Sequence, residues 1–496
     1  MRTIHPMRAN REASDGGRPV LSVVRGRIAR SGNKSEASAK RHTCADEFGR
    51  EQGRLRAMAT PGGIGSGTAA IDSSTPPVLP RRPGRRVGAM LVRVGSSAAA
   101  ATLLVLASTL LTTQSTARAQ VPPPDADPFY AAPADIAAYP EGAIVASRQT
   151  ALFGLPLPVS TWQVKYRSTD AGGAAIADVA TVMVPMLPWF GPGPRPLLSY
   201  QIAEDSLGTR CAPSYALAGG GDLGGAQALI DTPFMADALR RGWAVVTSDY
   251  EGPHARFLDG VNSGRGVLDG IRAARDLPAA GLGPATPLVA WGYSGGAFAT
   301  LWAAQMQPQY APDVRFAGIA AGGLPVNWPA IAQHVDGTPQ AGLAMLILIA
   351  ATRDHPSAGI ADLLNDRGRA MLAADGAACG PDLVSKYVNA RVDDFSSVPN
   401  LLSHPIFRAA TDPEELGAPA PRVPMYLYHS TSDDVIPAVG FTDLLGRYCA
   451  QGPDITFVHS ALPGHNPAAA GEALGAMAYL SDRVAGVPIA PGCHPR

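Results

Sequence analysis

Short apolar segments of strand length recur along the chain from residue 179 onwards, and helical patterns lie between several of them. The strand-like segments are residues 179–184, 197–202, 244–248, 288–291, 316–320, 425–428 and 455–458. Residues 234–241, 264–277 and 297–307 have helical periodicity, and a last helix is predicted over residues 467–484, between Pro467 and Gly486. This alternation predicts an α/β fold with a mostly parallel sheet that is covered by helices on both faces.

One stretch of about a hundred residues interrupts the alternation. Residues 324–422 contain helical runs but no clear strand, and they are flanked by Pro325 and Pro424. We interpret them as an inserted helical cap, or lid, that covers a hydrophobic slot. The run GLAMLILIAA at residues 342–351 is apolar on nearly every face, so it is either part of this cap or an ordinary core helix.

The N-terminal part of the chain has the features of an export signal. An apolar run at residues 98–111 follows several arginines and precedes Ala117-Arg118-Ala119. Fourteen apolar residues are too few for a membrane-spanning helix, which needs about twenty. We therefore predict a signal peptide at residues 90–119, a disordered or untranslated extension at residues 1–89, and a secreted protein with no stable transmembrane anchor. The folded core is expected in residues 120–323 and 423–496.

Composition and charge exclude one large class of function. The 496-residue chain is 46% hydrophobic and 17% charged, which is enough to form a large core. Its net charge is zero, but after residue 119 it has 22 basic against 34 acidic residues. This acidic part lacks the basic surface that a phosphate backbone requires, so nucleic-acid binding is not expected.

The segment Gly292-Tyr293-Ser294-Gly295-Gly296 matches the G-x-S-x-G pattern of a nucleophile elbow. The pattern is weak alone, but here a strand-like PLVAW precedes it and a helix-forming AFATLWAAQM follows it. A tight strand-to-helix turn exposes the serine hydroxyl beside a helix N-terminus, where a developing anion is stabilised. Ser294 is therefore the predicted nucleophile, and the alternative is a glycine-rich turn without chemistry.

Two later loops contain the partners that a nucleophilic serine needs, in the order acid then histidine. Asp433 and Asp434 follow the strand-like segment at 425–428, and His465 follows the one at 455–458. Asp433 is preferred as the acid because it lies three residues before Ile436-Pro437, a recurrent arrangement in hydrolases. Either aspartate could instead be a helix cap.

The remaining chemistry-bearing residues do not indicate a metal or an organic cofactor. Histidines and cysteines lack metal-ligand spacing, and no dinucleotide or Walker motif occurs in a suitable context, so we expect neither a metal nor a cofactor. Cys44 lies upstream of the predicted cleavage site. The four exported cysteines fit two disulfide bonds, for which the sequence leaves three pairings open.

In combination, several strings make the chain resemble the secretory lipase family typified by Candida antarctica lipase A, over nearly all of residues 130–496. The strings are SYQIAEDS at 199–206, CAPSY at 211–215, SDYEG at 248–252, GYSGGAFAT at 292–300 and SDDVIP at 432–437. The resemblance implies an α/β-hydrolase fold with Ser294, Asp433 and His465 as the catalytic triad.

The resemblance also implies an oxyanion hole and a disulfide pairing. The oxyanion hole would use Gly295 and Asp205, with the backbone N–H of Asp205 favoured over its carboxyl group, because a charged carboxylate would repel the oxyanion. Asp205 as a simple turn residue is the alternative. The implied disulfide pairs are Cys211 with Cys379 and Cys449 with Cys493.

These features predict a secreted carboxylic ester hydrolase, a triacylglycerol lipase or esterase that works through an acyl-enzyme. Its expected partner is a lipid or small ester, met in solution or at a lipid–water interface. A secreted serine peptidase or acyltransferase has the same triad and fold, so the sequence alone does not separate them. A third alternative is an inactive hydrolase-like binding protein.

Overall fold

A computed structural model describes residues 121–221, 224–417 and 419–496, with only the backbone described for 224–227. The predicted signal peptide and the extension before it lie outside the described residues. Within the described residues, no helix is long and apolar enough to cross a membrane.

The sheet has ten strands in the order β1-β2-β3-β5-β4-β6-β7-β8-β9-β10. The pairs β1–β2, β2–β3 and β3–β5 are antiparallel, and every other pairing in the sheet is parallel. The predicted mostly parallel sheet is therefore confirmed. The strands are β1 (Ile144–Thr150), β2 (Val159–Thr169), β3 (Ala175–Pro185), β4 (Leu197–Gln201), β5 (Ala244–Ser248), β6 (Leu288–Tyr293), β7 (Gly318–Gly322), β8 (Met425–Ser430), β9 (Ile455–Ser460) and β10 (Cys493–Pro495).

Helices cover both faces of the sheet. On one face, α2 and α11 pack on side chains such as Tyr200 and Trp291, and on the other α3 and α4 pack on Val246 and Ala290. The helices are α1 (Pro213–Leu217), α2 (Gly224–Arg240), α3 (Gly260–Asp276), α4 (Gly295–Tyr310), α5 (Trp328–Val335), α6 (Ala341–Asp354), α7 (Asp366–Asp375), α8 (Gly380–Lys386), α9 (Pro405–Thr411), α10 (Ala438–Cys449) and α11 (His465–Val484).

The interruption predicted at residues 324–422 lies between β7 and β8. In its described part it contains helices α5 to α9 and no strand of the sheet. Helix α6, which contains the GLAMLILIAA run, is buried along most of its length and packs against α5 and α8. The run is thus at the centre of the packing of this insertion, which is the name we use below for residues 324–422.

Both disulfide pairs that the resemblance implies are present. Cys211 is bonded to Cys379, with their Cα atoms 5.7 Å apart, and Cys449 to Cys493, with Cα atoms 5.8 Å apart. The first joins the chain after β4 to the insertion, and the second joins the end of α10 to the edge strand β10.

Candidate active site

The carboxyl ends of four of the five adjacent parallel strands β4, β6, β7, β8 and β9 bring the predicted site residues to one edge of the sheet. Asp205 follows β4, Ser294 follows β6, Asp433 follows β8 and His465 follows β9. Loops at the carboxyl ends of parallel strands are where α/β proteins place their ligand sites. Ser294, Asp205 and His465 line one cavity of about 230 Å³.

Ser294 lies in a strained turn between β6 and α4. Its φ is 56° and its ψ is −127°, and its N–H donates to Gly322 O on β7 at 2.9 Å. A non-glycine residue in this region costs about 1–3 kcal/mol, which interactions of the surrounding structure must offset. A Cβ on Gly296 would lie 2.0 Å from Gln201 O of β4, so only glycine allows α4 to begin this close to the sheet.

Asp433 and His465 form a buried pair. His465 Nδ1 lies 2.8 Å from Asp433 Oδ2, and the other carboxylate oxygen accepts the N–H groups of Val435 at 2.9 Å and Ile436 at 2.8 Å. Burial alone would raise the pKa of Asp433, but these hydrogen bonds and the imidazole hold it below its ordinary value. The ionised carboxylate can therefore orient His465 and stabilise its protonated form.

Asp434 holds the backbone of the same histidine. Its Oδ1 accepts the N–H of His465 at 2.8 Å, at the first residue of α11. A carboxylate at a helix N-terminus is favourable for the helix dipole. Tyr293 Oη also donates to His465 O at 2.7 Å. The two adjacent aspartates thus contact different parts of His465, Asp433 the ring and Asp434 the main chain.

The backbone at Asp205 is arranged to leave one donor unused. Its φ is 39°, and its carbonyl accepts Gly380 N–H of the insertion at 2.9 Å. The flanking N–H groups are occupied, that of Glu204 by Tyr250 Oη at 3.0 Å and that of Ser206 by Glu251 Oε1 at 3.4 Å. Among the described residues, the N–H of Asp205 donates to no protein acceptor.

The side chain of Asp205 lies directly over the start of α4. A Cβ on Gly295 would be 2.2 Å from Asp205 Oδ1, so a larger residue would displace this carboxyl group. Burial raises the pKa of Asp205 to about 6, and nearby His465 opposes that rise. Gly295 is the first residue of α4, where backbone N–H groups have no acceptor within the helix.

Two further buried carboxyl groups support the Asp205 loop from below. Glu204 Oε2 accepts Glu251 N–H at 3.2 Å, and Ser206 Oγ donates to Glu251 Oε2 at 2.9 Å. The pKa of each glutamate is raised well above the usual range for a carboxyl group, mainly by burial and to a lesser extent by repulsion from neighbouring carboxylates. The SDYEG string therefore positions the loop, a role that its sequence alone did not indicate.

His429 also has a supporting position that the sequence reasoning did not assign. It is buried behind Asp433, with Nδ1 accepting Leu324 N–H at 3.1 Å and Nε2 lying 3.0 Å from Ile436 O. Burial lowers its pKa, so the ring is neutral and Nε2 is the donor. It links the first residue of the insertion to the loop that contains Asp433.

The hydrogen bonds of the described residues do not include one between Ser294 Oγ and His465. Such contacts are often long in a ligand-free hydrolase and tighten when substrate binds. Within the same described part of the chain, no group of three or more His, Cys, Asp or Glu side chains could hold a metal ion.

Comparisons with known proteins agree on one family. The secretory lipase family model matches residues 219–492. A Mycobacterium tuberculosis protein named "Probable inactive lipase MT1628" is 34% identical over 74% of this chain and 83% of its own length. Lipase A of Moesziomyces aphidis is 33% identical over 68% of this chain and 76% of its own length.

The solved structure of Candida antarctica lipase A in its closed state superposes with a TM-score of 0.70 at 30% identity, covering 76% of this chain and 91% of that one. The α/β-hydrolase fold and the resemblance noted from the sequence are thereby confirmed, and lipase or esterase activity is the function these relatives support. The chain belongs to the secretory lipase family.

Proposed function

We propose that this protein hydrolyses carboxylic esters with Ser294 as nucleophile, His465 as general base and acid, and Asp433 as the orienting carboxylate. His465 Nε2 takes the proton of Ser294 Oγ while the oxygen attacks the ester carbonyl carbon. The carbonyl oxygen becomes an oxyanion that the N–H groups of Gly295 and Asp205 stabilise. His465 then gives the proton to the alcohol oxygen, the C–O bond breaks, and an acyl-enzyme remains.

Water completes the cycle by the same route. It loses a proton to His465, attacks the acyl carbon, and Ser294 regains its proton as the acid leaves. The ionised state of Asp433 supports this, because it stabilises the imidazolium that forms twice per cycle. An oxyanion hole donor contributes about 3–4 kcal/mol of transition-state stabilisation, which is the role proposed for the free N–H of Asp205.

The observation that carries the proposal is the combination at one sheet edge. A strained serine elbow, a 2.8 Å Asp433–His465 pair and an unused N–H on Asp205 all border one cavity. Beside that cavity lies a smaller one lined by apolar side chains such as Leu343 and Ile347 of the insertion, which suits an acyl chain better than a peptide. We propose on this ground that the insertion is the lid over the site.

Initial rates on a soluble alkyl ester, on emulsified tributyrin and on a peptide anilide test this function. The parent should hydrolyse the esters with a rate that Ser294→Ala and His465→Ala each reduce by at least about 10⁴-fold, since the two residues act as one unit. Anilide cleavage at comparable efficiency would instead favour a peptidase, and transfer of the acyl group to added alcohol in preference to water an acyltransferase.

An inactive binding protein is the second candidate because one relative is named as an inactive lipase. The same assay separates it, since such a protein would release no acid from any ester above the Ser294→Ala background. Here the three triad candidates and the free Asp205 N–H occur together, and binding alone does not require that combination.

We also propose export through residues 90–119, with the extension before them absent from the mature protein. The two disulfides support an oxidising destination. N-terminal sequencing of the protein collected outside the producing cell should begin at Gln120. A mature chain that still contained residues 90–119 would contradict this.

A further inference from the structure

Two cavities border Ser294, a small apolar one and a larger one whose lining mixes apolar side chains with polar ones such as Glu204 and Gln340. The first lies beneath the insertion, has a volume of about 30 Å³, and is lined by Gly295, Phe257, Trp328 and Ile347. The second is the 230 Å³ cavity that contains His465. The two share Ser294 and Asp205, so the reacting carbonyl would sit where they meet.

The second cavity adjoins a groove between α2 and α11. This helix groove has a volume of about 330 Å³. It shares Ile230, Asn466 and Ala469 with the cavity at Ser294, so the same side chains border both spaces. Together they provide far more room on the His465 side of the nucleophile than on the Gly295 side.

The lining of the helix groove is mostly apolar. Phe234, Trp291 and Ala473 form part of its wall, and Ile230 and Leu474 stand on its two opposite helices. Ile230 is 53% exposed and Leu474 77% exposed, so both walls of the groove present apolar surface to solvent, and a contiguous apolar surface of this kind is typical of a ligand groove.

Among the described residues that line the groove, one side chain is charged, and it is already paired. Asp237 forms ion pairs with Arg240 and with Arg241, whose Nε lies 3.0 Å from Asp237 Oδ2. The groove therefore offers contact area for hydrocarbon and no unpaired charge for a polar headgroup.

The direction of proton transfer decides which part of an ester lies on which side. His465 must donate its proton to the leaving alcohol oxygen, so that oxygen has to lie beside His465. The oxyanion points to Gly295 and Asp205, and the acyl chain takes the remaining direction, into the small cavity beside Trp328 and Ile347. The alcohol part of the substrate is then directed into the space that His465 lines.

We infer that the helix groove between α2 and α11 binds the alcohol part of the substrate, and that this enzyme prefers esters of long apolar alcohols with short acyl groups. This rests on the proposed function, because it assumes that His465 protonates the leaving group. A bound alkyl chain would run from His465 past Ala469 and Ala473 and cover the exposed faces of Ile230 and Leu474.

Isomeric esters provide the test, because they have the same overall hydrophobicity. Octyl butyrate places the long chain on the alcohol, and butyl octanoate places it on the acid. With both below their solubility limits, kcat/KM for octyl butyrate should exceed that for butyl octanoate by about tenfold or more, since each methylene that is buried or excluded changes the rate severalfold.

Two variants on α11 connect this preference to the groove. Ala473→Phe fills the groove and should reduce the octyl butyrate to butyl octanoate ratio about tenfold. Ala478→Phe is the matched control, because Ala478 is an exposed alanine of the same helix outside the groove lining, and it should keep the parental ratio. Leu474→Ser, at an exposed position, should also lower the octyl butyrate to butyl octanoate ratio, and it adds no bulk to the groove.

Fluorophosphonate titration of each preparation gives the concentration of reactive serine, so rates refer to folded enzyme. A parental ratio near one, or equal changes for Ala473→Phe and Ala478→Phe, would overturn the inference and leave ester hydrolysis standing. If the groove variants lost activity only when the isomers were emulsified, and equally for both isomers, the result would overturn the inference in favour of a lipid-surface contact. No label and no hydrolysis of any ester would remove the proposed function, and this inference with it.

Discussion

Removing the Cys211–Cys379 disulfide should lower both the stability of the protein and the turnover of its folded fraction. The bond joins the segment after Asp205 to the N-terminus of α8 in the insertion. Next to it, Leu207 N–H donates to Ala378 O at 2.9 Å and Gly380 N–H to Asp205 O at 2.9 Å. The bond is thus part of the attachment that fixes the N–H of Asp205.

The size of the stability effect follows from the length of the closed loop. Cys211 and Cys379 are 168 residues apart, so in the chain-entropy model the bond contributes about 5 kcal/mol at 25 °C. For a mature chain of this size, that corresponds to a fall of about 6 °C in the thermal midpoint. Cys449 and Cys493, 44 residues apart, should contribute about 4 kcal/mol.

The double variants Cys211→Ser/Cys379→Ser and Cys449→Ser/Cys493→Ser form the matched comparison. Both should unfold at lower temperature in calorimetry or by circular dichroism. Only the first should lower kcat per reactive serine, by about tenfold. Loss of a whole oxyanion donor costs about 10²–10³-fold, but here the two hydrogen bonds next to the disulfide still hold the Asp205 loop.

A different pattern would refute this reasoning. If the first double variant kept the parental kcat per reactive serine at a temperature where it is folded, the disulfide would not position the Asp205 loop. If the second lowered kcat as much as the first, the effect would be general loosening and not loop positioning.

Three further predictions concern single residues. Asp433→Asn should lower kcat about 10⁴-fold because the amide has no charge to stabilise the imidazolium and its NH2 can donate to Nδ1, which favours the wrong tautomer of His465. Asp434→Ala, which removes only a backbone contact, should cost far less; equal losses in steady-state kinetics would contradict the assignment of the acid. Burial raises the pKa of Asp205 to about 6 in the folded state, so its neutral carboxyl group stabilises the fold fully below the unfolded-state pKa near 4, and this contribution is lost as the pH rises through 6. Denaturant titrations should therefore show Asp205→Asn gaining stability relative to the parent between pH 4 and pH 8. The variant should retain kcat if the N–H is the donor. Gly296→Ala should abolish folding or activity because its Cβ would meet Gln201 O at 2.0 Å, while Gly446→Ala, in open space on α10, should be neutral or raise the thermal midpoint; two equal effects would contradict the close approach at Gly296.

Much of the sheet could be predicted because its central strands are uniformly apolar. Strand β5 was predicted with its observed bounds, and β6 and β8 were predicted two residues short at their site ends. Strand β2 was missed because buried polar residues interrupt its pattern. Gln163 donates to Ser214 O at 2.8 Å and Lys165 to Ala131 O at 2.8 Å, partners that only the folded chain brings close.

The site was predictable to the extent that local chain order determines it. Ser294, Asp433 and His465 each follow a strand end, so the topology places them together. The supporting groups were not predictable, because His429 and Glu251 contact residues far away in sequence. For α6 the uniform apolar run concealed which face meets the site: Leu343 and Ile347 line the cavity there.

The most direct test of the central claim is where an active-site label attaches. Mapping by mass spectrometry after fluorophosphonate treatment should find one adduct, on the peptide that contains Ser294, formed much more slowly in His465→Ala. Labelling of Ser294→Ala at the parental rate, or no labelling of the folded parent, would contradict Ser294 as a nucleophile activated by His465.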